Sequence, residues 1–201
     1  AVVETPEEIA AVALPFPLFA KPVAEGTGKG VTAASKIVDP VGLDRVCREL
    51  LAVFRQPVLV ETFLPGREFT VGIIGTGAEA FAPAVMEVHL TEKAEKEVYS
   101  YANKEDWHGR IKYRLAADAM ARAAAETALA AWRGLGGRDG GRIDLRADTE
   151  GIPHFMEVNP LAGLRPDHSD LPILCELAGI SYRELIAGIM RSALKRIGKR
   201  T

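Results

Sequence analysis

Two stretches in the second half of the chain alternate polar and apolar residues with a period of two. Residues 142–146 (RIDLR) and 155–159 (FMEVN) each place their polar side chains on one side and their apolar side chains on the other. This alternation predicts two β-strands. Residues 148–151 (DTEG) have the composition of a turn. The pattern therefore predicts a hairpin that gathers acidic and amide oxygens on one face.

The register of this hairpin decides which side chains meet. A turn of two or four residues would place Arg142 opposite Glu157. Asp144 would then lie opposite Phe155 and diagonal to Glu157, about 7–8 Å away, whereas a loop of odd length would break this alignment. Asp144, Glu157 and Asn159 supply the oxygens that Mg²⁺ prefers, and Mg²⁺ commonly takes further ligands from phosphates. Arg142 would then meet a transferred phosphoryl group.

The pattern leaves three interpretations of this face open. It is a magnesium and nucleotide site, an exposed polar face that meets only water, or a buried ion-pair cluster without a metal.

Helical and strand patterns alternate through the rest of the chain. Apolar residues at three- and four-residue spacing, with helix start and stop signals, predict helices over 4–14, 39–54, 114–135, 171–178 and 182–197. Short apolar runs predict strands over 16–21, 31–38, 57–63, 67–74 and 81–89. Trp132 falls on the apolar stripe of its helix, so we expect it in the core.

Three connections could bind a nucleotide. The glycine-rich loop 23–30 can lay backbone N–H groups on phosphate, with Lys21 as a nearby point charge, or it is a plain mobile hairpin tip. Residues 61–64 join two strands in the manner of a hinge that reads an adenine edge, and Glu68 could accept hydrogen bonds from ribose hydroxyls. Residues 91–106 predict a long loop, in which Lys104 is either a lid residue or a solvated lysine.

Composition narrows the functional classes. The 201 residues are 48% hydrophobic and 26% charged, which predicts a soluble globular chain with one large core or two small ones. A net charge of -2 gives no reason to expect nucleic acid or an anionic membrane as partner. No apolar run of about 18 residues and no leader is present, so we expect a cytoplasmic protein. The start at Ala1 favours a processed or partial product.

The motifs FAKPVAEGTGKGV, VLVETFLPGREFTVGI, NKE, RIDLR and MEVNPLAGL occur in this order. Together they resemble the ATP-grasp ligases, most closely the D-alanine:D-alanine ligase family, over nearly the entire chain. The resemblance implies an α+β ATP-grasp fold with largely antiparallel sheets flanked by helices and two subdomains that sandwich ATP. Residues 1–60 would be the remainder of the lid subdomain and residues 61–201 the C-terminal subdomain. The family's N-terminal substrate domain would lie before Ala1.

In this family ATP converts a carboxylate to an acylphosphate, which an amine attacks to form a dipeptide. The resemblance implies D-alanine as the first candidate substrate, a role in peptidoglycan precursor synthesis, and a homodimer. It implies an ATP-binding set: Lys21, Thr27, Gly28, Glu61, Thr62, Phe63, Leu64 and Glu68. It implies ligands for two Mg²⁺ ions, with Mn²⁺ as a substitute: Asp144, Glu157 and Asn159. It implies that Arg142 and the N–H of Gly163 stabilise the tetrahedral intermediate. It also implies that Lys104 contacts the transferred phosphate and that Ser169 holds the carboxylate of the second substrate.

The chain departs from the family pattern near the substrate. Thr27-Gly28 stands where the family commonly has two serines, and Glu105 stands where it has a tyrosine. One extra residue lies between Gly163 and Pro172. An ATP-grasp ligase for another carboxylate and amine is therefore an alternative, as is a non-catalytic nucleotide-binding module.

Overall fold

A computed structural model of the chain describes residues 1–26, 28–90 and 111–198. It divides into two compact units, residues 1–64 with 90–112 and residues 65–89 with 113–201. Thr27, Lys104, Glu105 and the predicted loop 91–106 lie outside the described residues. The assignment of residues 1–60 and 61–201 to two ATP-grasp subdomains remains a prediction.

The first unit contains a four-stranded sheet in the order β1-β4-β2-β3. Its elements are β1 (Val2–Val3), β2 (Leu18–Pro22), β3 (Lys36–Ile37), α1 (Pro40–Phe54) and β4 (Val58–Thr62), with 3-10 helices at Pro6–Ala11 and Ala33–Ser35. Neighbouring strands run antiparallel.

Helix α1 forms as its sequence predicts. The Asp39 side chain caps its first turn by accepting a 2.7 Å hydrogen bond from Gly42 N, and Pro40 occupies the first helical position. The helix ends where Arg55 adopts a left-handed conformation. Its apolar stripe is buried in the core of this unit at Leu43, Val46, Cys47 and Leu50.

The second sheet has five strands in the order β7-β6-β5-β8-β9. Its elements are β5 (Glu68–Ile74), β6 (Val85–Leu90), β7 (Ile111–Ala116), α2 (Ala119–Gly134), β8 (Gly140–Ala147), β9 (Pro153–Asn159), α3 (Asp170–Leu177) and α4 (Tyr182–Gly198), with a 3-10 helix at Gly77–Glu79. Strand β5 pairs antiparallel with both β6 and β8, and β8 pairs antiparallel with β9. The α+β class with antiparallel sheets flanked by helices is confirmed.

One face of the five-stranded sheet packs on α2. Small side chains along α2 let the helix lie close to buried residues of β5 and β8, and the cluster comprises Phe69, Val71, Ile73, Ala121, Ala124, Ala128, Trp132, Ile143 and Leu145. Trp132 is fully buried, as predicted, and its Nε1 donates to Gly75 O at 3.1 Å.

Helices α3 and α4 pack on the other face around Ile74 and Met86. Gly72 makes this packing close, because a Cβ there would lie 3.0 Å from both Leu171 and Leu174 of α3. Successive residues of a strand point to opposite faces of a sheet. The polar side chains of β5, β8 and β9 therefore lie together on this second face.

Three predicted elements were wrong in extent. Residues 31–38 form a 3-10 turn and only a two-residue strand, because Thr32 and Ser35 close a capping box around the turn. The helix predicted over 114–135 begins at Ala119, after Asp118 caps it through Ala121 N, and residues 114–116 belong to β7. The helix predicted over 4–14 is the shorter 3-10 helix Pro6–Ala11.

Within the described residues, no helix has the length and apolar character needed to cross a membrane.

Candidate active site

The hairpin of β8 and β9 has a register different from the predicted one. Asp144 lies directly opposite Glu157, and Arg142 lies opposite Asn159. The prediction that Arg142 faces Glu157 was wrong for two reasons. Pairing begins between residues 147 and 153, so the loop spans the odd number of five residues, 148–152. That loop alone would place Met156 opposite Asp144, but a β-bulge adds one residue to β9 and restores Glu157 to the shared face.

The neighbouring strand β5 contributes Thr70 to the same face. Thr70 pairs directly with Asp144, and its Oγ1 donates to Asp144 Oδ1 at 2.9 Å. Among the residues that the structure describes, Thr70 and Ser35 are the buried polar ones. The sequence analysis missed it, although a signal existed: Thr70 follows Glu68 by two residues and so projects from the same strand face.

Arg142 is held between two carboxylates. Its Nη2 donates to Asp144 Oδ2 at 2.9 Å, and its Nη1 donates to Asp170 Oδ2. Glu157 Oε1 lies 3.9 Å from Nη2. Asp170 is the first residue of α3, and its Oδ1 accepts a 3.1 Å hydrogen bond from Tyr113 OH on β7. No sequence pattern indicated Asp170 or Tyr113, because they come from elements far from β8 in the chain.

Asn159 connects the two carboxylates of the hairpin. Its Nδ2 donates to Asp144 Oδ2 at 3.3 Å and to Glu157 Oε1 at 3.2 Å. The Asp144 side chain is 16% exposed, whereas that of Glu157 is 55% exposed. The predicted ligand set thus has one sheltered carboxylate and one that reaches solvent.

The charges of this cluster do not cancel. The cluster contains one guanidinium, that of Arg142, and three carboxylates, those of Asp144, Glu157 and Asp170. Burial raises the pKa of Asp144 to about 7, although Arg142 opposes the shift. Burial lowers the pKa of Arg142, but Asp144 and Asp170 outweigh it and raise that pKa above its ordinary value. Arg142 therefore stays charged, and the cluster carries an excess of negative charge.

A divalent cation fits this excess, because the carboxylates of Asp144 and Glu157 lie on one face beside the Asn159 amide. The Asn159 oxygen becomes a third donor when the amide turns over and gives up its hydrogen bonds to the two carboxylates. The described residues contain no group of three His, Cys, Asp or Glu side chains close enough to hold a metal by themselves. The asparagine oxygen, water and phosphate would have to complete the coordination, which is the usual situation for Mg²⁺.

The predicted ATP residues of the first unit include a close ion pair. Lys21 on β2 and Glu61 on β4 join through Nζ and Oε2 at 2.7 Å, since they are diagonal neighbours in the β2–β4 pairing. Phe63 is buried, and its N donates to Pro17 O at 3.0 Å, while Lys36 Nζ lies 4.7 Å from the centre of its ring.

The remaining predicted ATP residues are dispersed along both units. Thr62 ends β4, and Leu64 follows it half-buried. Gly28 has a positive φ of 77°, a conformation that suits glycine. Glu68, at the start of β5 in the second unit, lies 3.5 Å from Arg146 between Oε2 and Nη1.

Gly163 and Ser169 lie side by side in the segment that leads into α3. A Cβ on Gly163 would lie 2.6 Å from Ser169 Oγ. That hydroxyl also accepts a 3.2 Å hydrogen bond from Arg165 N, so it folds back over the loop instead of capping α3. Gly163, predicted at the tetrahedral intermediate, and Ser169, predicted at the second substrate, are thus neighbours.

The family model described as D-ala D-ala ligase C-terminus matches residues 3–191. The chain belongs to this family. A D-alanine–D-alanine ligase from Bordetella petrii is 34% identical over 183 residues, which cover 90% of this chain and 53% of the relative. The chain spans about half the length of the curated relatives it matches.

Solved structures of D-alanine ligases share the fold. The D-alanine–D-alanine ligase from Bacillus anthracis complexed with ATP superposes with a TM-score of 0.68 at 23% identity, over 97% of this chain and 57% of that one. VanG D-Ala:D-Ser ligase from Enterococcus faecalis gives 0.67 at 24% identity, over 92% of this chain and 52% of that one. The ATP-grasp fold expected from the sequence motifs is confirmed.

Within this family fold, the structure brings the predicted residues together in three places. Arg142, Asp144, Glu157 and Asn159 form one cluster, Lys21 and Glu61 form an ion pair, and Gly163 adjoins Ser169. Thr70 and Asp170 join the first cluster without having been predicted.

Proposed function

We propose that the protein carrying this chain is an ATP-dependent ligase that joins a carboxylate to an amine through an acylphosphate, with D-alanine as the first candidate for both substrates. The chain would supply the ATP site and the acyl-transfer site. The observation that carries this proposal is the grouping of Arg142, Asp144, Glu157 and Asn159 on one sheet face in a chain of this family. The residue roles predicted from the sequence motifs are part of the same proposal.

Acyl and phosphoryl transfer depend more on positioning and charge neutralisation than on a strong base. Lys21 would place a positive charge on the ATP phosphates, and residues 61–64 would bind the adenine. Arg142, which stays charged between Asp144 and Asp170, would stabilise the oxyanion of the tetrahedral intermediate. Removing a single donor of this kind typically costs about 10²–10³ in kcat.

The other groups would hold the substrates. The N–H of Gly163 would share the oxyanion with Arg142, and Ser169 would bind the carboxylate of the second amino acid. Asp144, Glu157 and Asn159 would hold two Mg²⁺ ions, which neutralise phosphate charge when bound. Thr27, Gly28 and Glu68 would complete the ATP site, and Lys104 would contact the transferred phosphate.

A specific alternative exists for the second amino acid of the proposed reaction. A D-Ala:D-Ser ligase is among the solved structures that share this fold, and the departures at Glu105 and between Gly163 and Pro172 concern the substrate region. Cytoplasmic location, amino-acid substrates and a homodimer complete the proposal by analogy with the family.

The test is phosphate release by the full-length protein with ATP and Mg²⁺, screened against single amino acids and pairs that include D-alanine with D-alanine and D-alanine with D-serine. We expect Glu157→Gln and Asn159→Ala to lower kcat by about 10²-fold or more with little change in thermal midpoint. Glu150→Gln is the matched control, because Glu150 is an exposed carboxylate in the turn of the same hairpin.

The outcomes separate the alternatives. Formation of the D-alanine dipeptide supports the leading proposal, whereas another product keeps the mechanism and changes the substrate. Full activity of Glu157→Gln would remove the metal assignment. Nucleotide binding without phosphate release for any pair would favour a non-catalytic module.

A further inference from the structure

Asp170 has both carboxylate oxygens engaged inside the site. Oδ2 accepts from Arg142 Nη1, and Oδ1 accepts from Tyr113 OH at 3.1 Å. The side chain is 22% exposed, and that of Arg142 is 17% exposed. Asp170 is therefore committed to two protein groups, one on β8 and one on β7, and offers little to solvent or to a ligand.

The backbone that carries Asp170 is seated firmly on the sheet. Asp170 begins α3, and the next residue, Leu171, is buried together with Leu174 over β5. Gly72 permits this contact, because any side chain there would press on both leucines. The position of the carboxylate is thus set by core packing, and a change of side chain at residue 170 need not disturb it.

Arg142 depends on two carboxylates that have different duties. Asp144 Oδ2 accepts from both Arg142 and Asn159, while Oδ1 is taken by Thr70. Asp144 would in addition be a metal ligand, and a cation there would draw on the same negative charge. Arg142 Nε is buried without a hydrogen-bond partner among the described residues, so it adds no third anchor.

We propose that Asp170 is the positioning residue of Arg142, which holds the guanidinium in place for acyl transfer independently of the carboxylates that bind metal. The inference rests on the proposed function, because it gives Arg142 its task. Asp170 does not touch the substrate in this proposal. It acts only through Arg142, as a charged hydrogen-bond acceptor fixed to the start of α3.

The test is Asp170→Asn in the full-length protein. Asparagine keeps the size of the side chain and removes its charge. We expect kcat to fall about 10²-fold, because a misplaced catalytic group costs on this order, with KM for ATP changed by less than about twofold. Glu176→Gln is the matched control, because it removes one carboxylate charge from an exposed position on the same helix, α3.

A double-mutant cycle with Arg142→Ala shows whether Asp170 acts through Arg142. If it does, Asp170→Asn causes no further loss of kcat in the Arg142→Ala background. Additive losses, or a normal kcat for Asp170→Asn alone, would overturn the proposal. If Asp170→Asn does not fold, Tyr113→Phe is the second variant, because it removes the hydrogen bond that Tyr113 OH donates to the Asp170 carboxylate. An unchanged kcat in Tyr113→Phe would also overturn the proposal.

A readout that needs no ligase activity separates this inference from the proposed function. The ¹⁵Nε–¹Hε NMR signal of Arg142, assigned by its absence in Arg142→Ala, should show slow guanidinium rotation in the wild type and faster rotation in Asp170→Asn. A wild-type protein that ligates nothing but shows this difference refutes the proposed function and retains the positioning role. The same rotation in both proteins refutes the positioning role.

Discussion

Replacing Thr70 by valine tests the buried hydrogen bond beneath the candidate metal site. Valine has nearly the shape of threonine but lacks the hydroxyl that donates to Asp144 Oδ1 at 2.9 Å. Thr70 is 5% exposed, so water does not readily replace the lost donor. The substitution should destabilise the fold, and the cost should depend on the ionisation of Asp144.

The magnitude follows from the charge of the acceptor. Above its pKa of about 7, Asp144 is ionised, and a hydrogen bond to a charged group contributes about 1.5–3 kcal/mol. Well below that pKa the carboxyl group is neutral, and the same bond contributes about 0.5–1.5 kcal/mol. Thr70→Val should therefore cost more in alkaline than in acidic solution. This sign agrees with the effect of Thr70, whose hydrogen bond lowers the pKa of Asp144.

The free energy of unfolding of the wild type itself depends on pH through Asp144. Because the pKa of Asp144 is raised in the folded state above its unfolded value of about 3.9, the stability that this group contributes is fully present below about pH 4. It is lost as the pH rises through about 7.

The assay is urea unfolding without divalent metal at about pH 5.5 and about pH 8.5, followed by circular dichroism. Thr127→Val is the control, because Thr127 is half-buried on α2 and its hydroxyl has no hydrogen-bond partner within the described part of the chain. A cost of Thr70→Val that is equal at both pH values, or no larger than that of the control, would refute the account of Asp144 as a buried, titrating carboxylate.

Two further substitutions test the framework around the site. Glu87→Gln breaks a bidentate pair with Arg67, whose hydrogen bond lowers the pKa of Glu87. We expect it to cost about 1–3 kcal/mol at neutral pH and progressively less below about pH 4, where the wild-type carboxylate is protonated; a pH-independent cost in urea unfolding would contradict this. Gly141→Ala places a Cβ 2.5 Å from the ring of Trp132, so unfolding measurements should show a loss of about 1–3 kcal/mol. Gly134→Ala, at an open position at the end of α2, should be neutral or stabilising, and an equal loss in both variants would disprove the steric argument.

Local sequence signals sufficed for much of the fold. Helix α1 follows from its Asp39 cap and its apolar spacing, and β8 and β9 follow from their alternation. These signals succeed because helix and strand periodicity are properties of neighbouring residues. The ordered motifs also pointed to the D-ala D-ala ligase family, whose C-terminal model matches residues 3–191. Local reasoning failed at Arg114, where a helical pattern continues in sequence into residues that pair in β7.

Only the tertiary structure decided how the candidate site is assembled. Alternation placed Asp144 and Glu157 on polar strand faces, but the odd loop and the bulge at Met156 determined that they face each other directly. Thr70 on β5 and Asp170 on α3 join the same cluster. Thr70 is 74 residues away in sequence from its partner Asp144, and Asp170 is 28 residues away from its partner Arg142. Such contacts are absent from local patterns, because cross-strand register and the seating of α3 are set by packing among residues distant in sequence.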